Sequence, residues 1–305
     1  MVQSNLVRSI ENLHSSFMSN TPPKHLMLWE KPLKKNLFRA SSLPLCPMKL
    51  AFDTLRPASS RVTFSGDFYT SVGTAVHETL QKWFSLSGTL FGKYKCPQCS
   101  QLYPKGCTLE DNKATLGPVY CSCTKSKNLC SYVELAPYGI DHAPGFTGHV
   151  DGVALINGKY TILEFKTTST AKVALRRKSG PDPKHITQAT AYRSVMPKFL
   201  NIKESKWHDD ILIIYYDRAN PKNNVVLCVP YEYDNFQDEV DTFVKTLRLV
   251  KSKRYWKIKG KCEKQSDEQY CPYNAMCFSP QSDRLIDSIM PGYVKRKTKS
   301  IKIKR

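Results

Sequence analysis

The chain has 305 residues, of which 41% are hydrophobic, so it can bury a sizeable core and a chain disordered throughout is excluded. It contains no run of about 18 apolar residues and begins without the apolar stretch of a signal peptide, so we expect a soluble cytoplasmic protein without a membrane span. A formal net charge of +20 favours a polyanionic partner, with nucleic acid first and a ribosomal or membrane surface as the alternative.

The predicted elements alternate between helices and strands. The stretch SVGTAVHETLQKWF predicts an amphipathic helix whose apolar positions are Val76, Leu80, Trp83 and Phe84. A cysteine-rich block without long periodic elements follows it. After that block come two strands, the helix PKHITQATAYRSVMPKF, two further strands in DDILIIYYDRANPKNNVVLCVPYEY, and a long helix that starts near NFQDEV.

This order of elements predicts four regions. They are an N-terminal helical region with one cysteine (1–91), an insertion that resembles a zinc ribbon (92–131), the core together with the C-terminal cysteines that follow it (132–280) and a basic tail (281–305). The tail ends in KRKTKSIKIKR, a run that is typical of a phosphate-binding arm.

Two strand-like runs flank Asn157-Gly158, which is a strong signal for a two-residue hairpin turn. Such a turn pairs Ile156 with Lys159, and the same register places Asp151 opposite Glu164. Two opposed carboxylates repel each other unless a cation lies between them. The register therefore predicts a cation site at this end of the hairpin.

Lys166 lies two residues beyond Glu164, so strand alternation directs it to the same face. Oxygen ligands of this type suit Mg²⁺ or Mn²⁺, and an ammonium group beside them can stabilise charge on a phosphate. The alternative is a surface hairpin with solvated charges. The apolar residues that flank the lysine strand favour an interior position, where unpaired charges are costly.

The segments GHVDG, LEFKTT and QATAY resemble the successive motifs of the RecB-like branch of the PD-(D/E)XK nucleases. The resemblance implies a mixed α/β core of the restriction-endonuclease type, in which a mixed central sheet is flanked by helices. It also implies that Asp151, Glu164 and Lys166 form the core of a DNA-cleaving site. Val150 replaces the proline of the family name.

The same resemblance implies further site residues: His77 as a metal ligand, the backbone carbonyl of Phe165 as another, Gln188 and Tyr192 as a Q-x3-Y motif, and Glu134 as the acidic residue before the first core strand. Gln188 and Tyr192 are four residues apart and share a helix face. His149 is a rival to His77, because strand alternation places it on the side of Asp151.

The chain has eleven cysteines, an odd number that rules out complete internal disulfide pairing and favours metal ligation. One set resembles the iron-sulfur subset of these nucleases, which includes CRISPR-associated exonucleases and AddB-type nuclease halves. Its members, one before the core and three after it, are Cys46, Cys262, Cys271 and Cys277. Four thiolates hold either a [4Fe-4S] cluster, which the resemblance implies, or a zinc ion, which is the alternative.

The second set lies in the insertion, where CPQC and YCSC resemble the two knuckles of a zinc ribbon. The expected tetrad for Zn²⁺ is Cys96, Cys99, Cys121 and Cys123, and Cys107 or Cys130 is an alternative member. The insertion either guides a DNA strand or only braces a loop. The remaining cysteine, Cys228, lies in an apolar strand and is expected to be a buried free thiol.

The resemblance implies an Mg²⁺- or Mn²⁺-dependent deoxyribonuclease, an exonuclease that acts on single-stranded ends during replication, recombination, repair or end processing. A helicase or recombinase is the expected partner, and a bacterium, an archaeon or a phage-infected host is the expected setting. Two alternatives are a structure-specific endonuclease for flaps or junctions and a catalytically idle DNA-binding subunit. The intact set of Asp151, Glu164 and Lys166 argues against the idle subunit.

Overall fold

A computed structural model describes most of the chain: residues 38–43, 46–55, 64–125, 127–140, 143–258, 277, 282–291 and 293. The α-helices among these residues are α1 (Pro47–Leu55), α2 (Phe64–Leu86), α3 (Thr170–Ser179), α4 (Pro183–Phe199), α5 (Tyr233–Lys251) and α6 (Ser282–Ile289). Short 3-10 helices span Ala40–Ser42, Glu204–Lys206 and Tyr255–Lys257. Within the described ranges, no helix has the length and apolarity that crossing a bilayer requires.

The strands are β1 (Phe38–Arg39), β2 (Leu90–Lys95), β3 (Leu102–Tyr103), β4 (Thr115–Leu116), β5 (Tyr120–Cys121), β6 (Asn128–Leu129), β7 (Ser131–Val133), β8 (Tyr138–Ile140), β9 (Ala143–Thr147), β10 (Gly152–Ile156), β11 (Lys159–Thr168), β12 (Asp210–Asp217) and β13 (Val225–Pro230). The main sheet has the order β13-β12-β11-β10-β2-β3, and β4 and β7 also pair with β2. Since β11 and β12 are parallel and the other pairs are antiparallel, this central sheet is mixed.

The two faces of the central strands pack against different helices. Ile162 belongs to a buried cluster that includes residues of α4 and α5, whereas Leu163 and Phe165 belong to a cluster that includes Leu80 of α2. Successive strand residues point to opposite faces, so Glu164 and Lys166 lie on the α4 side of the sheet. The mixed α/β architecture with flanking helices agrees with the expected fold class.

The hairpin register is confirmed. Ile156 pairs with Lys159, and the ladder continues to the pair Gly152 and Leu163, one residue short of Asp151 and Glu164. The turn has left-handed backbone at both central positions, with φ 50° at Asn157 and 77° at Gly158. Asn and Gly tolerate this conformation, and this turn type therefore fixes the register.

Helix α4 coincides with the predicted helix. It begins because Asp182 accepts a hydrogen bond from the backbone N–H of Lys184 at 3.1 Å and because Pro183 occupies the first helical position. Its buried face packs against β11, β12 and the segment Ala40–Ser42. The helix is therefore held firmly beside the strand that carries Glu164 and Lys166.

Two expectations about burial are wrong. Trp83 lies on α2 but is 54% exposed, although Val76, Leu80 and Phe84 do pack against the sheet. Cys228 is also exposed, because β13 ends the sheet order and the alternation of this strand buries Val229 instead. An apolar run on an edge strand does not require that both of its faces be buried.

Strand β2 crosses residue 92, the predicted start of the insertion, and pairs with β10 as well as with β3, β4 and β7. The cysteine-rich block is therefore built directly onto the main sheet. Tyr94 of β2 belongs to the same buried cluster as Cys96, Cys121 and Cys130.

Candidate active site

Helix α2 approaches β11 closely at one glycine. A Cβ atom on Gly73 would lie 3.3 Å from Thr167 Oγ1, so only a very small residue fits this crossing easily. One turn further along α2, the imidazole of His77 packs edge-on against the ring of Phe165, with centroids 5.7 Å apart. Phe84 stacks on the same ring at 5.8 Å. These contacts fix the orientation of His77 above the strand.

Asp151 contacts both α2 and β11. Its Oδ2 accepts a hydrogen bond of 2.7 Å from the backbone N–H of Phe165, and its Oδ1 lies 3.5 Å from His77 Nδ1. Burial alone would lower the pKa of His77, but the hydrogen bond and charge of Asp151 more than offset burial and raise it. The aspartate is thus held by a backbone donor and is poised to share a cation with the histidine.

Glu164 is the most deeply buried carboxylate of the site, with 0% of its surface exposed. Its Oε1 lies 2.5 Å from Lys166 Nζ, and no other described residue donates a hydrogen bond to either carboxylate oxygen. Burial, followed by the charge of Asp151, raises the pKa of Glu164 to about 8. A carboxylate in this position needs compensation by positive charge.

Lys166 supplies part of that compensation. Burial would lower the pKa of Lys166, but the charges of Glu164 and Asp151 outweigh burial and raise it, so the ammonium form is favoured. Its Nζ also donates to Gln188 Oε1 at 3.3 Å, which ties the side chain to α4. The lysine side chain is 21% exposed, and the site therefore opens to solvent at this residue.

Tyr192, one turn after Gln188 on α4, is 3% exposed. Burial first, and then the nearby charge of Glu164, raises its pKa, so the phenol stays protonated. A Cβ atom on Gly148 would lie 2.6 Å from the Tyr192 ring, and Phe146 packs edge-on against that ring. The second member of the Q-x3-Y pair therefore packs beneath the site.

Glu134 and Gln81 belong to the same group. Single ligand atoms of His77, Glu134 and Asp151 all lie within 4.8 Å of one another. Gln81 Nε2 donates to Glu134 Oε1 at 3.1 Å and to the backbone oxygen of Asp151 at 2.9 Å. The spacing of four residues from His77 could have indicated Gln81, since it places both on one helix face.

His149, the rival ligand, lies at the rim. Its side chain is 72% exposed, and its Nδ1 lies 3.7 Å from Glu134 Oε2. Among the described ion pairs, Asp151 is matched with His77 and not with His149. The geometry therefore favours His77 as the nitrogen donor.

The donor set fits a divalent cation. The carboxylates of Asp151 and Glu134 converge with one imidazole nitrogen of His77, whereas Glu164 is outside this set and interacts with Asp151 through its charge. Carboxylate oxygens suit Mg²⁺ and Mn²⁺. The structure therefore brings His77 and Asp151 together with Glu134, and it places Lys166 beside Glu164.

The predicted tetrad in the insertion is also brought together. The Sγ atoms of Cys96 and Cys123 are 3.6 Å apart, as are those of Cys99 and Cys121, and all four lie within 4.8 Å of one another. Backbone N–H groups, with that of Cys99 contributing most, lower the pKa of Cys96 to about 6 and favour its thiolate. This S₄ arrangement suits zinc.

The two other cysteines of the insertion lie outside that group. Cys107 and Cys130 are both buried, and neither belongs to the set of sulfur atoms within 4.8 Å. Cys130 packs close to Cys96, but the group of four sulfur atoms consists of the predicted tetrad.

The second cysteine set is described only in part. Cys46, just before α1, and Cys277 both pack against one hydrophobic cluster that includes Phe52 and Ile286. Cys262 and Cys271 lie outside the described residues. This hydrophobic cluster thus brings α1 and α6 together beside Cys46 and Cys277, two of the four cysteines in the site that the resemblance implies.

Comparison with known proteins gives only distant similarity. No family model matches the chain, and neither does any curated protein sequence. Among solved structures, SSO0001 is 11% identical with a TM-score of 0.40, over 83% of this chain and 95% of that one. An alkaline exonuclease from Laribacter hongkongensis is 12% identical with a TM-score of 0.35, over 74% of this chain and 96% of that one. Similarity at this level assigns neither a family nor an activity.

Proposed function

We propose that this protein is a metal-dependent nuclease whose active site is built on Asp151, Glu164 and Lys166. The observation that carries the proposal is the fully buried Glu164 carboxylate, whose described polar partner is the Lys166 ammonium. Burial of two such acids in a structural hairpin would weaken the sheet. Two carboxylates, an imidazole and an ammonium at one sheet end instead favour phosphodiester cleavage with a divalent cation.

The residues have distinct roles in this proposal. Asp151 and Glu164 would hold the cation, with His77 and the backbone carbonyl of Phe165 as further ligands. Bound Mg²⁺ or Mn²⁺ would supply the Lewis acidity that polarises the phosphodiester and lowers the pKa of water. Lys166 would donate hydrogen bonds to the scissile phosphate and stabilise the charge that develops there.

Side chains around this group would set its geometry. Gln188 orients Lys166 through the 3.3 Å hydrogen bond, and Tyr192 packs beneath the site as a protonated phenol. Gln81 holds Glu134 and the backbone of Asp151 in place. These contacts keep the charged groups within reach of one phosphate.

DNA is the proposed substrate, because a formal net charge of +20 provides sequence-independent affinity for a phosphate backbone. We propose exonuclease action on single-stranded ends in replication, recombination or repair, with a helicase or recombinase as partner.

The tetrad of Cys96, Cys99, Cys121 and Cys123 would hold structural Zn²⁺. Two of the four residues of the proposed [4Fe-4S] site, Cys46 and Cys277, share one hydrophobic cluster.

The testing experiment incubates anaerobically purified protein with end-labelled linear single-stranded DNA and with circular single-stranded DNA, in Mg²⁺, Mn²⁺ or EDTA. We expect metal-dependent degradation of the linear strand that Lys166→Ala abolishes. Lys159→Ala is the matched control, because Lys159 lies at the exposed start of the same strand. Cleavage of the circle would instead indicate an endonuclease. Full activity of Lys166→Ala would refute the assigned site, and DNA binding without any cleavage would indicate an idle subunit.

A further inference from the structure

Two aromatic side chains near the start of α2 are exposed to solvent. Phe68 is 56% exposed and Tyr69 is 53% exposed. Their rings meet edge to face, with centroids 6.0 Å apart and an interplanar angle of 65°. Neighbouring exposed aromatic side chains of this size often mark a binding surface.

A cation lies against one of these rings. The guanidinium carbon of Arg218 lies 4.3 Å from the centroid of the Tyr69 ring, within the range of a cation-π contact. The backbone N–H of Arg218 donates to the carbonyl of Thr168 at 3.0 Å. The arginine is therefore anchored to the end of β11.

Asp217 stiffens the loop that carries this arginine. Its Oδ1 accepts hydrogen bonds from the backbone N–H groups of Ala219 and Asn220, at 2.9 and 3.2 Å. Its Oδ2 accepts from Asn223 Nδ2 at 2.9 Å, and Thr170 Oγ1 donates to Oδ1 at 3.1 Å. A buried and fully used carboxylate thus holds Arg218 in a defined place.

The aromatic pair lies in line with the candidate active site. Tyr69, Gly73 and His77 are spaced by four residues and so follow one side of α2. Gly73 approaches Thr167, and His77 packs on Phe165, so this side of the helix runs along β11. Eight residues of helix separate Tyr69 from His77 by about 12 Å. That distance corresponds to roughly three or four stacked nucleotides at about 3.4 Å each.

Helix α3, which follows β11, carries further cations. Lys172 is exposed near the start of α3, which begins two residues after β11 ends. Arg177 donates hydrogen bonds to Asn223 and Asn224 of the Arg218 loop. A cationic surface with exposed rings is complementary to a single strand, whose phosphates are anionic and whose bases present free faces.

We propose that Phe68, Tyr69 and Arg218 form a stacking platform that receives unpaired bases of a strand whose backbone passes the site of Asp151, Glu164 and Lys166. The inference deepens the proposed nuclease function and rests on it. It specifies an unpaired strand as the substrate, because the base faces in an intact duplex are covered by neighbouring pairs. Arg218 covers part of Tyr69, and bases stack on the exposed ring surface that remains.

The test measures binding of the full chain to a short single strand by fluorescence anisotropy, without added Mg²⁺ or Mn²⁺. Phe68→Ala and Tyr69→Ala should each weaken binding by roughly tenfold, which is typical for loss of one stacked base. Tyr69→Phe should retain the affinity, because it keeps the ring. Trp83→Ala is the matched control, since Trp83 is 54% exposed on the same helix but lies about 21 Å further along it.

The salt dependence of the affinity and the binding of duplex DNA distinguish the contribution of base stacking from that of charge attraction. The aromatic variants should leave the dependence of affinity on salt unchanged, whereas Lys172→Ala should reduce its slope by about one counterion. Binding of a blunt duplex should change less than binding of the single strand. An unchanged single-strand affinity in both aromatic variants, or an equal loss in Trp83→Ala, would overturn the platform.

The outcomes also separate the platform from the catalytic proposal. If wild-type protein cleaves DNA and Lys166→Ala does not, while the aromatic variants bind normally, the platform is wrong and the nuclease stands. If the aromatic variants lose single-strand binding but no cleavage occurs with any metal, the platform binds a strand and the catalytic proposal fails.

Discussion

Replacing Glu164 by glutamine removes a titratable proton from the centre of the site while keeping the shape of the side chain. Because burial raises the pKa of Glu164 to about 8, its protonated form is favoured at pH 7 when no cation is bound. A divalent cation binds the deprotonated carboxylate, so binding must release that proton. Because the pKa is raised, metal affinity should increase with pH, by up to about tenfold per unit, and level off above about pH 8.

The assay is isothermal titration of Mn²⁺ at pH 7 in two buffers with different heats of ionisation. The wild-type protein should release a proton from Glu164 when the cation binds, plus a further fraction from His77, whose pKa is also raised. Glu164→Gln should bind the cation more weakly and release fewer protons per cation bound. Glu78→Gln is the control, because Glu78 is exposed and directly follows His77 on α2.

Two results would refute this reasoning. Equal proton release by the wild type and Glu164→Gln would show that Glu164 does not ionise when the cation binds. Affinity that is independent of pH between 6 and 8 would show that no acid of this group has a raised pKa in the free protein.

Three further predictions concern residues around the site and in the insertion. Gln188→Ala should lower the cleavage rate roughly tenfold in a single-turnover assay, because it removes a hydrogen bond from the charged Lys166 Nζ. Gly148→Ala should lower the free energy of unfolding by about 1–3 kcal/mol in denaturant titrations, since the new Cβ would lie 2.6 Å from Tyr192. Cys96→Ser should lose bound zinc in elemental analysis, whereas Cys130→Ser should retain it, because Cys130 lies outside the tetrad.

Local sequence patterns predicted the elements that carry the acids. The turn at Asn157-Gly158 sets the strand register, and this register brings Asp151 to the level of Glu164. The alternation of β11 then places Lys166 on the same face. These relations depend on neighbours in one hairpin, and for that reason they could be worked out from spacing.

Glu134 could not be placed by spacing. It reaches Asp151 because a single antiparallel bridge pairs Leu135 with Val150, and the backbone N–H of Val150 donates to the Leu135 carbonyl at 2.9 Å. This bridge joins two segments that have no regular pattern in the sequence. The burial of Trp83 and Cys228 was mispredicted for a related reason, since periodicity identifies a face but not whether another element covers it.

The two central acids are supported in different ways, and this difference gives them different tasks. Asp151 has a backbone donor at 2.7 Å and an imidazole at 3.5 Å, so its position is fixed before any cation arrives. Glu164 is fully buried with an ion pair to Lys166 as its described polar contact, and its raised pKa makes its charge depend on what lies beside it. A cation that draws the proton from Glu164 also changes the partner that Lys166 faces. A bound cation and the Lys166 ammonium would then share the negative charge of this one buried carboxylate, so the metal and the lysine both depend on Glu164.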